Sequence, residues 1–263
     1  MEFIYIKAKL LIAVDKLSWE MMGMSLNYAH RGASGYYPEN TMLAFEKAVE
    51  MNCDGIETDV HLTKDKIPVL CHDEKIDRTT DGTGYIMDYT YEELCKFDAG
   101  IKYGQNYKGQ RIPSLEEFLI FVAKNNIQIN IELKNNTIEY EGLEQTVINM
   151  VYQHSMQGKV IISSFNHYSI MKCKSLDSKI KLGFLYDDPL YKPGNYGNFA
   201  GVDALHPNFH TLKDEVVENI RGFGLMINTY TVNNEEDMKR LIKMNIDVII
   251  TNYPDKLNKL LKP

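Results

Sequence analysis

Cysteine is scarce in this chain and follows no pattern. The four cysteines, Cys53, Cys71, Cys95 and Cys173, include no C-x-x-C pair, so neither a disulfide framework nor a zinc knuckle is indicated and reduced thiols in a cytoplasmic setting are expected. Long apolar runs are missing too. The most apolar stretch, Leu10 to Val14, lies between Lys9 and Asp15, far short of the ~20 residues that span a bilayer. Positive charge is in deficit: 29 Lys+Arg against 36 Asp+Glu leave a formal charge of −7. That balance argues against nucleic acid as the main partner. Internal repeats and low-complexity tracts are also lacking.

What remains is the composition of a protein able to bury a core, 44% hydrophobic and 25% charged over 263 residues. That length suits a single α/β barrel, which typically needs about 250 residues. Residues 1–24 read as an N-terminal extension of unassigned role, with no A-x-A-like cleavage site after their short apolar core. From Phe3 to Trp19 the pattern admits an amphipathic helix that caps the fold or touches a membrane surface. The other reading is a start at Met22 or Met24. The catalytic domain is then expected over residues 25–263.

From there the chain alternates short β-branched runs with helix-patterned stretches, the rhythm of a parallel sheet covered by helices. Strands are expected at Leu26–His30, Gly55–Val60, Gln128–Lys134, Lys159–Phe165, Lys181–Tyr186, Ala204–Pro207, Leu225–Val232 and Asp247–Asn252. Helices are expected at Thr41–Met51, Ser114–Asn125, Tyr140–His154, His167–Lys174, Lys213–Arg221, Glu235–Met244 and Pro254–Leu261. A further run, Ile67–His72, follows the second strand after only four residues, too few for a parallel crossover, so it reads as a hairpin partner. Eight parallel strands close a (β/α)8 TIM barrel. The stretch 77–111, rich in Gly, Asp, Thr and Tyr, breaks the rhythm and reads as an insertion beside the active face. One short helix is expected in it, at Tyr91–Phe97, with the rest irregular.

In the second strand Glu57 and Asp59 alternate onto one face about 7 Å apart. Glu132 and Lys134 share a face of the third strand within the apolar run INIELK. Buried acids are costly when unpaired, and three carboxylates converging from neighbouring strand ends suit a hard divalent cation. The competing reading is ordinary ion pairing, with Lys134 or Arg31 neutralising one acid. His61 has the parity of Asp59, but an oxygen-rich site argues against it as a ligand. His30 and Arg31 close the first strand ahead of a small-residue loop, Gly32 to Gly35, and His72 ends the hairpin. Both histidines fall at the rim where barrel enzymes carry their sites, and imidazoles with an ordinary pKa of ~6.5 suit acid–base work. Arg31 and Lys134 offer a planar fork and a point charge for a phosphate. Phe165 and His206 are expected near the pocket, His206 equally as a structural residue. His154, His167 and His210 read as non-catalytic.

The motifs AHRGASGYYPENTMLAF (29–45), GIETDVHLTKDKIPVLCHDEKIDRTTDGTG (55–84) and NIELK (130–134) together resemble the glycerophosphodiester phosphodiesterase family. Later pieces, ISSF, LHPNF, NTYTVN and DVIITNYP, are similar to the family's later strands, so the likeness runs from Leu26 onward. The resemblance implies a metal-dependent barrel enzyme that hydrolyses glycerophosphodiesters to sn-glycerol 3-phosphate and an alcohol. It implies Glu57, Asp59 and Glu132 as ligands of one Mg2+ or Ca2+, His30 and His72 as the acid–base pair, and Arg31 and Lys134 as phosphate-binding residues. Hydrolysis of lysophospholipids at the same site is the alternative. Tyr230 departs from the family's W-T-V-N segment, leaving the apolar wall of the pocket open. The substrate is a small molecule, stable membrane insertion is not expected, and an oligomer built on the insertion is possible.

Overall fold

In the computed structural model, which describes residues 25–262, the β-branched runs become strands. They are β1 (Leu26–His30), β2 (Gly55–Leu62), β3 (Pro68–Leu70), β4 (Gln128–Leu133), β5 (Val160–Ser164), β6 (Lys181–Tyr186), β7 (Ala204–Pro207), β8 (Met226–Thr229) and β9 (Val248–Thr251). Their order is β1-β9-β8-β7-β6-β5-β4-β2, and parallel pairing of β1 with β2 closes the ring into a TIM barrel of eight strands. The Ile67–His72 run supplies β3, antiparallel to β2 and outside the ring. The extension read in residues 1–24 lies outside the described residues. Among the described residues no helix is long and apolar enough to cross a membrane.

Helices α1 (Met42–Glu50), α3 (Leu115–Asn125), α4 (Leu143–Gln153), α5 (His167–Leu176), α6 (Pro193–Ala200), α7 (Asp214–Arg221), α8 (Glu235–Lys243) and α9 (Pro254–Leu261) cover the ring, and α2 (Tyr91–Leu94) sits in the insertion. Their starts are written in the sequence. Thr41, Asn166 and Asn234 cap the first turns of α1, α5 and α8, and Ser114 forms a reciprocal capping box with Glu117 on α3. The layer between strands and helices is apolar, with Phe45 of α1 packed on Phe118 of α3 at 4.5 Å between ring centroids.

One helix was not legible. The stretch Asp187–Gly201 reads as a loop because KPGNYGNFA combines two glycines, a proline and two asparagines, all poor helix formers. It carries α6 nonetheless, because its glycines let it lie close against α7 on one side and against Leu225, just ahead of β8, on another. A Cβ at Gly194 would stand 2.5 Å from the Asn219 carbonyl oxygen, and one at Gly197 would meet Leu225 at 2.8 Å. Pro193 opens the helix where its missing N–H is not needed.

The insertion is more ordered than its composition suggests. It has a small core of Ile76, Ile86, Leu94, Ala99 and Ile112 with Val69 and Cys71 of the hairpin. Besides α2 it contains 3-10 turns at Ile86–Asp88, Ile101–Tyr103 and Gln105–Tyr107. Asp98 ties its far end together, accepting from the backbone N–H groups of Gly100, Ile101 and Gly109.

These contacts set two expected stability losses in equilibrium urea unfolding: about 1 kcal/mol for Ser114→Ala, which removes the cap of α3, and about 3–5 kcal/mol for Phe118→Ala, which leaves a cavity under it.

Candidate active site at the carboxyl rim of the barrel

Strand register brings the acids together. His30 lies opposite Glu57, and Asp59 lies opposite Glu132. With residues of like parity pointing into the barrel, Glu57, Asp59 and Glu132 each offer a carboxylate oxygen, all within 4.8 Å of one another and all buried. Arg31 reaches them because the chain turns sharply at the end of β1. Arg31 and Gly32 take φ of 56° and 80°, a left-handed pair that folds the guanidinium back over β2. For a non-glycine residue such a conformation costs on the order of 1–3 kcal/mol and typically marks a functional turn. Arg31 Nε lies 3.1 Å from Asp59 Oδ2, and its backbone N–H donates to the Glu57 carboxylate at 3.2 Å. Lys134 donates to Glu132 at 2.9 Å and stands 3.8 Å from Asp59.

Proton affinities follow this crowding. Burial first, then the charges of Asp59 and Glu132, raises the Glu57 carboxyl well above the carboxylate range. Burial pushes Glu132 up to about 7, with Lys134 opposing the rise and Asp59 adding to it. Asp59 moves the other way: burial disfavours its charge, but Arg31, Lys134 and a hydrogen bond from Asn40 outweigh it. Burial alone would lower Arg31 and Lys134, yet the surrounding carboxylates hold both above their ordinary values.

The two histidines enter from different elements. His30 donates from Nδ1 to Asn252 Oδ1 at 2.6 Å, leaving Nε2 as an acceptor 3.8 Å from Glu57 and 3.4 Å from Thr231 Oγ1. Burial, reinforced by the Arg31 charge, lowers its pKa to about 3, so the ring is neutral. His72, at the end of the hairpin, donates from Nδ1 to Asp73 at 2.6 Å. His61 lies outside the carboxylate cluster. It is buried, with Nε2 on the His72 carbonyl and Nδ1 on the Tyr140 hydroxyl, so it fixes the backbone under His72. His206 is inside the barrel, bonded to Asn228, and burial lowers its pKa to about 3. His154 ends α4, His167 begins α5, and His210 sits in a 3-10 turn.

Residues that reasoning from sequence passed over hold these groups in place. Asn252, 222 positions from His30, orients that ring. Asn40 bridges Asp59 and Thr58, while Glu39 accepts from Arg31 at 2.9 Å. Glu39 and Asn40 stand in the P-E-N-T motif and Asp73 in H-D, so the motifs marked them without revealing what they bind. Beside the acids, Tyr230 packs edge-on against Phe165, and its hydroxyl is 3.1 Å from Asp187. Beyond this wall opens a cleft of about 570 Å³ lined by Phe165, Tyr186, Tyr191, Tyr196, Asp187 and Asp188.

The donor set fits a hard cation. It is all oxygen, and Asp59 Oδ1, fully buried, accepts no hydrogen bond. Two of the three carboxyls also hold protons more tightly than isolated acids do, the response of crowded anions that lack enough positive charge.

A closed parallel barrel with carboxylates, imidazoles and a guanidinium at its carboxyl rim has the architecture of a TIM-barrel enzyme. Residues 30–256 match the glycerophosphoryl diester phosphodiesterase family. A glycerophosphodiester phosphodiesterase of Caldanaerobacter subterraneus subsp. tengcongensis is 41% identical over 238 residues, covering 90% of this chain and 98% of the relative. One from Bacillus altitudinis is 38% identical over 240 residues, covering 90% and 98%. Among solved structures, an Oleispira antarctica phosphodiesterase in complex with the product sn-glycerol-3-phosphate superposes with a TM-score of 0.84 at 29% identity, covering 91% and 98% of the two chains. The chain belongs to the glycerophosphoryl diester phosphodiesterase family and is a phosphoric diester hydrolase.

The crowding has a pH signature. Glu132 titrates at about 7 when folded and near 4.3 when unfolded, so its contribution to stability is complete below the unfolded value and is lost as pH rises through about 7. In chelator-treated protein, the wild type should lose melting temperature relative to Glu132→Gln between about pH 5 and 8, and added Mg2+ or Ca2+ should remove the difference. A difference that stays constant with pH would contradict the crowding.

Proposed function

We propose that this chain hydrolyses glycerophosphodiesters to sn-glycerol 3-phosphate and an alcohol, with one divalent cation, Mg2+ or Ca2+, as cofactor. The observation that carries the reading is the set of three carboxylates within 4.8 Å, flanked by Arg31 and two imidazoles, in a chain of this family. The product bound to the Oleispira antarctica enzyme supports the choice of substrate. Residues 25–263 form the catalytic domain in this reading, and the four free thiols suit a reducing, cytoplasmic compartment.

Glu57, Asp59 and Glu132 would hold the cation, which supplies Lewis-acid stabilisation of charge on the phosphoryl oxygens. Arg31, already anchored through Glu39 and Asp59, binds the phosphate in a fixed orientation. Lys134, relieved of part of its carboxylate pairing, offers Nζ to a phosphoryl oxygen. His30, held through Nδ1 by Asn252, turns its Nε2 lone pair toward the acids, which places it to take the proton of the nucleophile. His72 has the Asp73 carboxylate behind Nδ1, which orients the ring and leaves Nε2 to protonate the departing alcohol oxygen. One P–O bond forms as the other breaks, in line. With water as nucleophile this single step gives glycerol 3-phosphate; with the substrate's own glycerol 2-hydroxyl it gives a cyclic phosphate, which a water must then open with the same two imidazoles acting in reverse. The alcohol arm extends past Tyr230 into the aromatic cleft, where Asp187 and Asp188 favour a cationic head group.

Release of glycerol 3-phosphate from glycerophosphocholine tests this directly. Activity should vanish on chelation and return with Mg2+ or Ca2+, and His30→Gln and His72→Gln should each lower kcat by about 10²–10⁴-fold. Activity that survives thorough chelation would refute the cation's role.

A further inference from the structure

We infer that Arg78, in the insertion, is a positioning residue that holds the acid–base group and the phosphate-binding group in one rigid frame. This inference rests on the reaction proposed above but not on the identity of the cation.

The two groups reach the rim by unconnected routes: Arg31 from the end of β1, His72 from the end of the hairpin. Each depends on a carboxylate for its orientation. Arg31 donates from Nη1 to Glu39 Oε1 at 2.9 Å, and His72 donates from Nδ1 to Asp73 Oδ1 at 2.6 Å. Left alone, Glu39 and Asp73 would add negative charge to a rim that already carries three acids, and each would be free to rotate. Arg78 lies between them and satisfies both. Its Nε and Nη2 donate to Asp73 at 2.7 and 3.1 Å, and its Nη1 and Nη2 donate to Glu39, both at 2.8 Å. Four of the five guanidinium N–H groups are thus committed along two edges of one plane. The result is a continuous chain from His72 through Asp73, Arg78 and Glu39 to Arg31, which itself ends on Asp59. Tyr103, also from the insertion, closes it by donating to Glu39 at 3.0 Å.

This geometry requires arginine. A lysine could neutralise one carboxylate, but its ammonium is a point donor and cannot present two edges to two carboxylates at once. The side chain is also half-exposed, 47% accessible, so a purely structural ion pair there would contribute little stability. Four aligned hydrogen bonds at an exposed position are better accounted for by orientation of the catalytic groups than by folding stability.

The test uses the full chain with glycerophosphocholine as substrate and steady-state kinetics for Arg78→Gln, Arg78→Lys, Asp73→Asn and the Arg78→Gln/Asp73→Asn double variant. Melting temperature and uptake of Ca2+ by each variant serve as folding controls. Arg78→Gln should lower kcat about tenfold or more and raise KM several-fold, because it loosens His72 and Arg31 together. Arg78→Lys should recover less than about a third of the lost kcat. The double variant should be about as slow as the worse single variant, since both break the same chain. The inference is overturned if Arg78→Lys matches the wild type, or if the two losses multiply in the double variant. Should Arg78→Gln fail to fold, Arg78→Lys and its combination with Asp73→Asn carry the same test. A wild type that hydrolyses no glycerophosphodiester would instead defeat the proposed reaction, a result separable from an active wild type that tolerates Arg78→Lys.

Discussion

Three carboxylates that the barrel forces together repel one another, and much of the rim is arranged around that repulsion. At separations within 4.8 Å and an effective dielectric of about 20, each like-charged pair costs roughly 3 kcal/mol. Three such pairs approach the whole stability of a typical domain, about 5–15 kcal/mol. The chain answers in several ways. Arg31 and Lys134 pair with the acids, Asn40 donates to Asp59, and Glu57 and Glu132 retain protons to unusually high pH. Even so, Asp59 Oδ1 is left without a hydrogen bond. Three buried carboxylate oxygens so placed could hold a divalent cation.

The fold makes such a concentration tolerable. Parallel strands in register fix which residues are neighbours, so Asp59 meets Glu132 through backbone pairing, not through flexible side chains. The apolar side chains of the same strands point the other way, into the layer beneath the helices, and the rim holds a left-handed turn at Arg31. The insertion then works as a brace. Its own small core keeps Arg78 and Tyr103 in place over Glu39.

Much of this could be read in the sequence because it obeys local rules. Alternation in Glu57-Thr58-Asp59 fixed the face of both acids, the short Thr63–Lys66 link identified a hairpin, and the helical pattern expected over Ser114–Asn125 became α3. What escaped depended on distant or atypical packing. Asn252 joins His30 across 222 positions of sequence, a contact no spacing rule reveals. The sequence argued against His61 as a ligand but did not reveal its partners, the His72 carbonyl and the Tyr140 hydroxyl. The α6 helix hid behind residues that disfavour helices and exists because glycine permits close approach to α7. Arg78 was visible only as one charge in a polar insertion, since its two partners lie 5 and 39 positions away.

In the proposed reading Glu57, Asp59 and Glu132 form a single cation site. Calorimetric titration of metal-stripped protein with Mg2+ and with Ca2+, repeated for Glu57→Gln, Asp59→Asn and Glu132→Gln, tests it most directly. The wild type should bind one ion per chain, and each variant should bind it at least about tenfold more weakly, as expected when a charged ligand is neutralised. Absence of uptake by the wild type, or affinity unchanged in all three variants, would contradict it.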